Sequence, residues 1–490
     1  MYTTENFTPA NFVPRRFEAD HTMELRGQTI SYKTVAEDNV FYDKNGKPIA
    51  SIFSYSYFRT DVEDPSSRPV LFGYNGGPGS ASYFVHAGFL GTKRVTYSDN
   101  ITRETSLPPY EVIDNPDCLL DIADIVVVDP VGAGYGILLD EEQAGQFFGI
   151  EQDGEALDYF IEKWLHKYNR FMSPKYLVGE SYGCTRNAAA AGIAASGSKT
   201  RSFNLAFDGL VMIGNTVTPG KYFGRELPVD HAVIAFQTYA AVNYYHNHPT
   251  TEQTIEEFIE EAKAFANHDY LLALYRGESL TQEEKDAIIE RISYYTGCSR
   301  QYLEDRNMKI DDRTYRLEVL KDKGLSVARF DARITRPRYT PETEENTKGI
   351  FDDASSNCYS SYYLSACCGV IFPMMGIQMD RTYLTGFSTW NRATMTSSWN
   401  QEESMGTTGE QLNKAMRKTL GMRTFFANGR FDTATYTGFI DYLLTHAGLP
   451  MDRICRKNYN SGHMIYFGED NTHELCEDIR EFVLGGMPNN

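Results

Sequence analysis

The pattern of apolar and polar positions divides the chain into three kinds of segment. Between His21 and Thr60 the two types alternate with period two, as in Thr29-Ile-Ser-Tyr-Lys-Thr34 and Ala50-Ser-Ile-Phe-Ser-Tyr-Ser-Tyr-Phe58. Such alternation predicts antiparallel strands with one face towards a core. Asp43-Lys-Asn-Gly-Lys-Pro48 supplies the hairpin turn. The 20 residues before this region are polar and irregular and read as a docking arm. From Arg68 the strands become continuous apolar runs: Arg68–Tyr74, Ile122–Asp129, Tyr176–Val178 and Phe207–Gly214, the last followed by a turn at Pro219-Gly220. A strand with no polar face belongs in a sheet covered on both sides, which is how parallel sheets are built. Helical patterns over Gln152–Tyr168 and the alanine-rich Thr185–Ala195 fall between these runs.

From Leu227 to about Arg329 the alternation of strand and helix stops, and helical periods run over Asp230–Tyr245, Thr251–Tyr275 and Thr281–Tyr295. Thr281 and Glu284 have the spacing of a capping box. Arg336–Phe351 is charged and proline-bearing and predicts a loop. Strand character returns at Met422–Ala427 and Arg453–Tyr459, with helices over Thr437–Ala447 and Asn471–Leu484. The expected organisation is an α/β domain made of residues 1–220 and 385–490, interrupted by a mainly helical cap at 221–384. No internal repeat or low-complexity segment is present.

Composition narrows the function. A chain of 490 residues with 41% hydrophobic content can bury a large core. A net charge of −19 and a pI near 5.0 argue against nucleic acid or an anionic membrane as partner. The N-terminal sequence has no basic-then-apolar signal, and no apolar run is long enough to cross a bilayer. The eight cysteines at 118, 184, 298, 358, 367, 368, 455 and 476 form no Cys-x-x-Cys pair, so reduced packing residues and a cytoplasmic location are expected.

The chemistry centres on Gly179-Glu180-Ser181-Tyr182-Gly183, which joins a short apolar strand to the alanine-rich helix. Gly-x-Ser-x-Gly in that context is a nucleophile elbow, with Ser181 presented at the strand end. A serine nucleophile needs a histidine base, and the base needs an acid to hold its tautomer. Asp432 follows a strand directly, whereas Asp441 lies within a predicted helix and Asp452 just before a strand. Of the histidines beyond Asp432, His463 lies in a glycine-containing loop after the last strand, while His446 and His473 sit at helix ends. Asn75-Gly76-Gly77-Pro78-Gly79 follows another strand without the Lys-Ser/Thr ending of a phosphate loop, and fits an oxyanion hole completed by the Tyr182 N–H.

Taken together, Asn75-Gly-Gly-Pro-Gly-Ser-Ala-Ser82, Asp129-Pro-Val-Gly-Ala-Gly134, the elbow with its Thr185-Arg186 continuation, the Asp432 loop and Gly462-His-Met464 resemble the serine carboxypeptidase family, peptidase family S10, in its bacterial branch. The resemblance implies an α/β-hydrolase fold with a mostly parallel central sheet and an inserted helical cap. It implies a triad of Ser181, Asp432 and His463, an oxyanion hole of Gly77 and Tyr182, and substrate contacts at Asn75, Gly76, Glu180 and Met464. In this family Asn75 and Glu180 would read a peptide's terminal carboxylate. The chain departs from the family in carrying Gly73 where many members have tryptophan, and no acidic residue in Gly88–Lys93. Lys93 or Arg94 are the alternatives for meeting that carboxylate. Peptide substrates are expected, with no metal or organic cofactor. An esterase or acyltransferase, and a catalytically idle binding protein on the same fold, are the rival readings.

Overall fold

The computed structural model describes residues 7–96, 107–198, 201–219, 228–338, 353–386 and 408–489. One ten-stranded sheet runs through the molecule. β1 (Arg16–Leu25), β2 (Gln28–Tyr42) and β3 (Pro48–Arg59) form an antiparallel meander at one end. The Asp43 carboxylate closes the β2–β3 turn by accepting from the Asn45 and Lys47 N–H groups at 2.9 and 2.8 Å. Residues 16–20, expected in an irregular arm, are instead the start of β1. Phe17 and Ala19 point inward there, while Arg16, Glu18 and Asp20 leave the outer face of this edge strand charged.

The remaining strands are β4 (Val70–Tyr74), β5 (Asp124–Asp129), β6 (Ile137–Leu138), β7 (Lys175–Glu180), β8 (Gly209–Ile213), β9 (Arg423–Gly429) and β10 (Ile454–Tyr459). Their order in space is β1-β2-β3-β5-β4-β7-β8-β9-β10, with β6 beside β3. Every pair from β5 to β10 is parallel. The carboxyl ends of those strands therefore open on one edge, where ligands bind in open α/β sheets. Asn75, Ser181, Gly214, Asp432 and His463 all follow strand ends there.

Both faces of the parallel strands are apolar. Leu71, Ile125, Val127, Val178, Val211, Ile213 and Phe425 enter one core. Their neighbours Phe72, Val126, Val128, Leu177, Leu210, Met212 and Phe426 enter the other. Against the second core lie α1 (Ile150–Tyr168) and α2 (Tyr182–Ser196). From α1, Leu157, Phe160, Ile161, Trp164 and Leu165 are buried, each contributing about 2 kcal/mol of transfer free energy. Alanines dominate α2 because its neighbours come close: a Cβ on Gly154 of α1 would stand 3.0 Å from the Ala189 methyl.

The stretch between β8 and β9 is of two kinds. α3 (Pro228–Asn247), α4 (Ile255–Phe265) and α5 (Gln282–Thr296) gather around their own cluster of Phe236, Tyr239, Phe258, Ile292 and Tyr295. Capping boxes start α4 at Thr254–Glu257 and α5 at Thr281–Glu284. α4 stops at Phe265, where the sequence predicts helix to Tyr275; a wider-turned stretch and a short helix, Leu271–Arg276, cover the rest. By contrast α6 (Ala354–Ala366) packs on the sheet, with Tyr359, Tyr362 and Tyr363 in the first core. The loop predicted over Arg336–Phe351 lies outside the described residues from 339 onward, and Thr335–Pro337 pairs with Leu325–Val327 as a small antiparallel ribbon. Among the described residues no helix is long and apolar enough to cross a membrane. Six of the seven described cysteines are buried; Cys368, expected as a packing residue, is exposed, and the Cys358 side chain lies outside the described residues.

Candidate active site

Ser181 stands between β7 and α2 with φ 57° and ψ −124°, a conformation that costs an L-residue about 1–3 kcal/mol. Its N–H donates to the Ile213 carbonyl at 2.7 Å, and its own carbonyl accepts from Cys184 N–H and the Thr216 hydroxyl, each at 2.8 Å. The strained turn is thus held by the end of β8. The glycine loop after β4 comes up against it. A Cβ on Gly76 would lie 2.4 Å from Tyr182 N and 2.9 Å from Ser181 Cβ, so only glycine fits. Gly77 follows with φ +109°, which turns the loop back over the elbow.

His463 Nδ1 lies 2.7 Å from Asp432 Oδ2. Both groups are buried, Asp432 completely. The Asp432 Oδ1 atom accepts from Ala434 and Thr435 N–H at 2.7 and 2.9 Å, and Oδ2 also accepts from the Thr435 hydroxyl. Committing Nδ1 to the carboxylate leaves Nε2 as the basic nitrogen. Burial works to lower the His463 pKa, but the charge and hydrogen bond of Asp432, aided by Glu180, hold it above the ordinary imidazole value. The ring is backed by Gly214, where a Cβ would come within 2.8 Å of His463 Cε1.

The Asp432 and His463 loops do not stand alone. Residues 329–332 of the insert run between them: Arg329 O accepts from Thr433 N–H at 3.1 Å, Phe330 O accepts from His463 N–H at 2.6 Å, and Ala332 N–H donates to Phe431 O at 3.0 Å. The Phe330 ring lies 5.2 Å from the imidazole. Phe431 and Tyr436, on either side of Asp432, are anchored in the cluster formed by α3–α5.

Next to Ser181, Glu180 is buried at the end of β7. Asn75 Nδ2 donates to its Oε1 at 2.7 Å, and the Tyr466 hydroxyl meets its Oε2. Burial raises the Glu180 pKa, against the opposing pull of His463, Tyr466 and Asn75. Behind the elbow Arg186 forms a buried pair with Asp153 (2.7 Å), donates to Asn75 O (3.0 Å) and stacks near the Tyr74 and Tyr182 rings.

A family model described as serine carboxypeptidase matches residues 42–461. The chain belongs to the serine carboxypeptidase family. It is similar, at 26% identity over 171 residues, to serine carboxypeptidase-like 16 of Arabidopsis thaliana. That match covers 34% of each protein, so it spans about a third of the relative's length. In fold it is similar to Kex1(delta)p, a prohormone-processing carboxypeptidase from Saccharomyces cerevisiae, with a TM-score of 0.53 at 12% identity over 92% of this chain and 91% of that one. The α/β-hydrolase fold expected from the sequence is the fold found.

Within this family frame the structure separates the candidates. Ser181, Asp432, His463, Asn75, Gly76, Gly77, Glu180 and Tyr182 converge on one sheet edge. Met464 adjoins His463 but its side chain belongs to the buried core. Asp441 is engaged by Arg456 and Lys263, and Asp452 lies in a short turn before β10. His446 bonds its own helix at Tyr442, and His473 pairs with Asp117. Neither Lys93 nor Arg94 meets the site, which corrects their suggested role: Lys93 pairs with Asp114, and the buried Arg94 grips Glu469 through both terminal nitrogens. Sequence reasoning missed Thr435, Gly214, Tyr466 and the 329–332 segment. Only Thr435 carried a readable signal, since a threonine three residues after an aspartate can close a turn around its carboxylate.

Proposed function

We propose that the protein is a serine carboxypeptidase that removes residues from the C-termini of peptides. The observation that carries this reading is the presence, on one sheet edge, of the His463–Asp432 pair and of the buried Asn75–Glu180 pair next to Ser181. Ser181 Oγ attacks the last peptide carbonyl while His463 Nε2 takes its proton. The oxyanion forms against the N–H groups of Gly77 and Tyr182, a type of donor worth about 3 kcal/mol each. His463 then protonates the leaving amine, and water, activated the same way, releases the acyl group. Asn75 and Glu180 hold the terminal carboxylate, and Gly76 lets the loop approach it. The helices of the insert select among peptides, because segments inserted at strand ends line the sites of such folds.

The test is to incubate the purified protein with one peptide in free-ended and amidated forms and follow masses over time. Stepwise loss of C-terminal residues is expected, with the amidated form slower by roughly ten- to a hundredfold, the effect of losing a charged hydrogen-bonded partner. Internal cleavage, or equal rates for the two forms, would overturn the reading.

A further inference from the structure

Both oxygens of Glu180 are occupied, and by partners with different capabilities. Asn75 is oriented by its own Oδ1, which accepts from Val85 N–H at 3.1 Å, so its Nδ2 faces Glu180 Oε1 and can only donate. Any proton on Glu180 therefore resides on Oε2, facing the Tyr466 hydroxyl. A phenol can donate or accept. With Glu180 ionised, Tyr466 donates to it; with Glu180 protonated, the bond reverses and the phenol's own hydrogen is released to another acceptor. Tyr466 is fully buried and held on several sides. Its ring has space only because residue 88 is glycine, where a Cβ would stand 2.5 Å from Cδ2. The Phe89 ring lies 5.1 Å away, and the Thr472 hydroxyl donates to the Tyr466 carbonyl at 3.0 Å. The segment that lacks an acidic residue, Gly88–Lys93, is thus the one that makes room for this phenol.

We propose that Tyr466 is a positioning residue for carboxylate recognition: by holding Glu180 Oε2 it fixes where the Glu180 proton sits and how that acid is presented to the substrate's terminal carboxylate. This rests on the carboxypeptidase reading above. The other ionisable groups around the pair are His463 and Asp432 from the loops after β10 and β9, Tyr83 beyond β4, Cys184 in α2 and Tyr363 in α6. Of these only His463 can bring a positive charge.

The experiment compares kcat and KM for matched free-acid and amidated peptides across pH in wild type, Tyr466→Phe, Glu180→Gln and the double variant. The phenylalanine keeps the ring and removes only the hydroxyl. Tyr466→Phe should cut the free-acid preference at least tenfold at acid pH, mainly through KM, and should flatten its decline with rising pH. The double variant should lose no more than Glu180→Gln alone. Gly88→Ala, which displaces the ring without touching the hydroxyl, should produce the same loss. A folded Tyr466→Phe that melts below wild type yet keeps the preference and its pH dependence would reduce Tyr466 to packing and overturn the inference alone. A wild type indifferent to the terminal carboxylate would overturn the carboxypeptidase reading and this inference with it.

Discussion

Two buried carboxyl groups, Asp432 and Glu180, belong to the site, and their partners differ. Asp432 is ringed by donors: two backbone N–H groups, a threonine hydroxyl and the imidazole N–H. Glu180 has two neutral partners, an amide and a phenol, and burial pushes its pKa up. The two backbone N–H groups at Asp432 cannot turn around and only ever donate. A phenol can turn around, so the second site can hold a proton. Burial alone does not assign a role to an acid; the set of hydrogen-bond donors does. Both acids act to raise the His463 pKa, Asp432 more than Glu180.

The strongest way to break this contrast is to neutralise each acid in turn. Asp432→Asn presents an amide to Nδ1 and imposes the wrong tautomer, a change worth on the order of 10⁴ in kcat. It also removes the charge that holds the His463 pKa up, so the rising limb of the pH profile on an ester substrate should move to lower pH. Glu180→Gln should spare ester turnover by comparison and fall on free-ended peptides. In wild type both shifts are upward. Activity on esters should therefore rise with pH through a value above the ordinary imidazole range, as His463 loses its proton. The preference for a free carboxylate should decline as pH rises through the raised Glu180 value. Superimposable pH profiles of kcat/KM for ester and free-acid substrates would erase the distinction between the two acids.

The difference between the two acids' surroundings also governs what the sequence revealed. The elbow was legible because its backbone admits few residues: Gly76, Gly179 and Gly183 are required by contacts under about 3.3 Å, and such requirements leave fixed letters at fixed spacing. Asp432 and His463 were legible because a parallel sheet sends its strand ends to one edge, so their positions after β9 and β10 sufficed. The 329–332 segment was not legible, since it acts through carbonyl and N–H groups that any residue supplies. Tyr466 was hidden among 33 tyrosines, where a single hydroxyl cannot be told from an ordinary core aromatic. β1 was masked by the charged outer face of an edge strand, and Arg94 looked available until Glu469, 375 positions away, closed on it.

Gly214 gives a sharper probe, acting on the histidine without changing either acid. Its φ of +61° disfavours a side chain, and a Cβ would meet the imidazole at 2.8 Å. Gly214→Ala should destabilise the fold by more than about 1 kcal/mol, the usual cost of alanine in a left-handed position. Displacing the base by a few tenths of an ångström should also lower kcat by roughly ten- to a hundredfold, since such geometry is what positioning contributes. Urea denaturation and ester kinetics separate the two effects. Wild-type kcat in a merely destabilised variant would show that the ring does not depend on this contact.

The smallest expected effect comes from Thr435, whose hydroxyl donates to Asp432 Oδ2 and stands 3.2 Å from His463 Nδ1. It shares the oxygen that binds the imidazole, and so withdraws part of the charge His463 feels. Thr435→Val keeps the branched shape and deletes the donor, leaving three of the four groups around Asp432 in place. One neutral hydrogen bond contributes about 1 kcal/mol, so kcat should fall by roughly fivefold. The undivided carboxylate should then raise the His463 pKa a little further, moving the rising pH limb upward, in the direction opposite to Asp432→Asn. Thr435→Ser, which restores the hydroxyl, should return both kcat and the limb towards wild type. Opposite shifts from two changes at one oxygen would tie the pH profile to the charge on Asp432. A valine variant with a wild-type profile would mean that the backbone N–H groups alone set that charge.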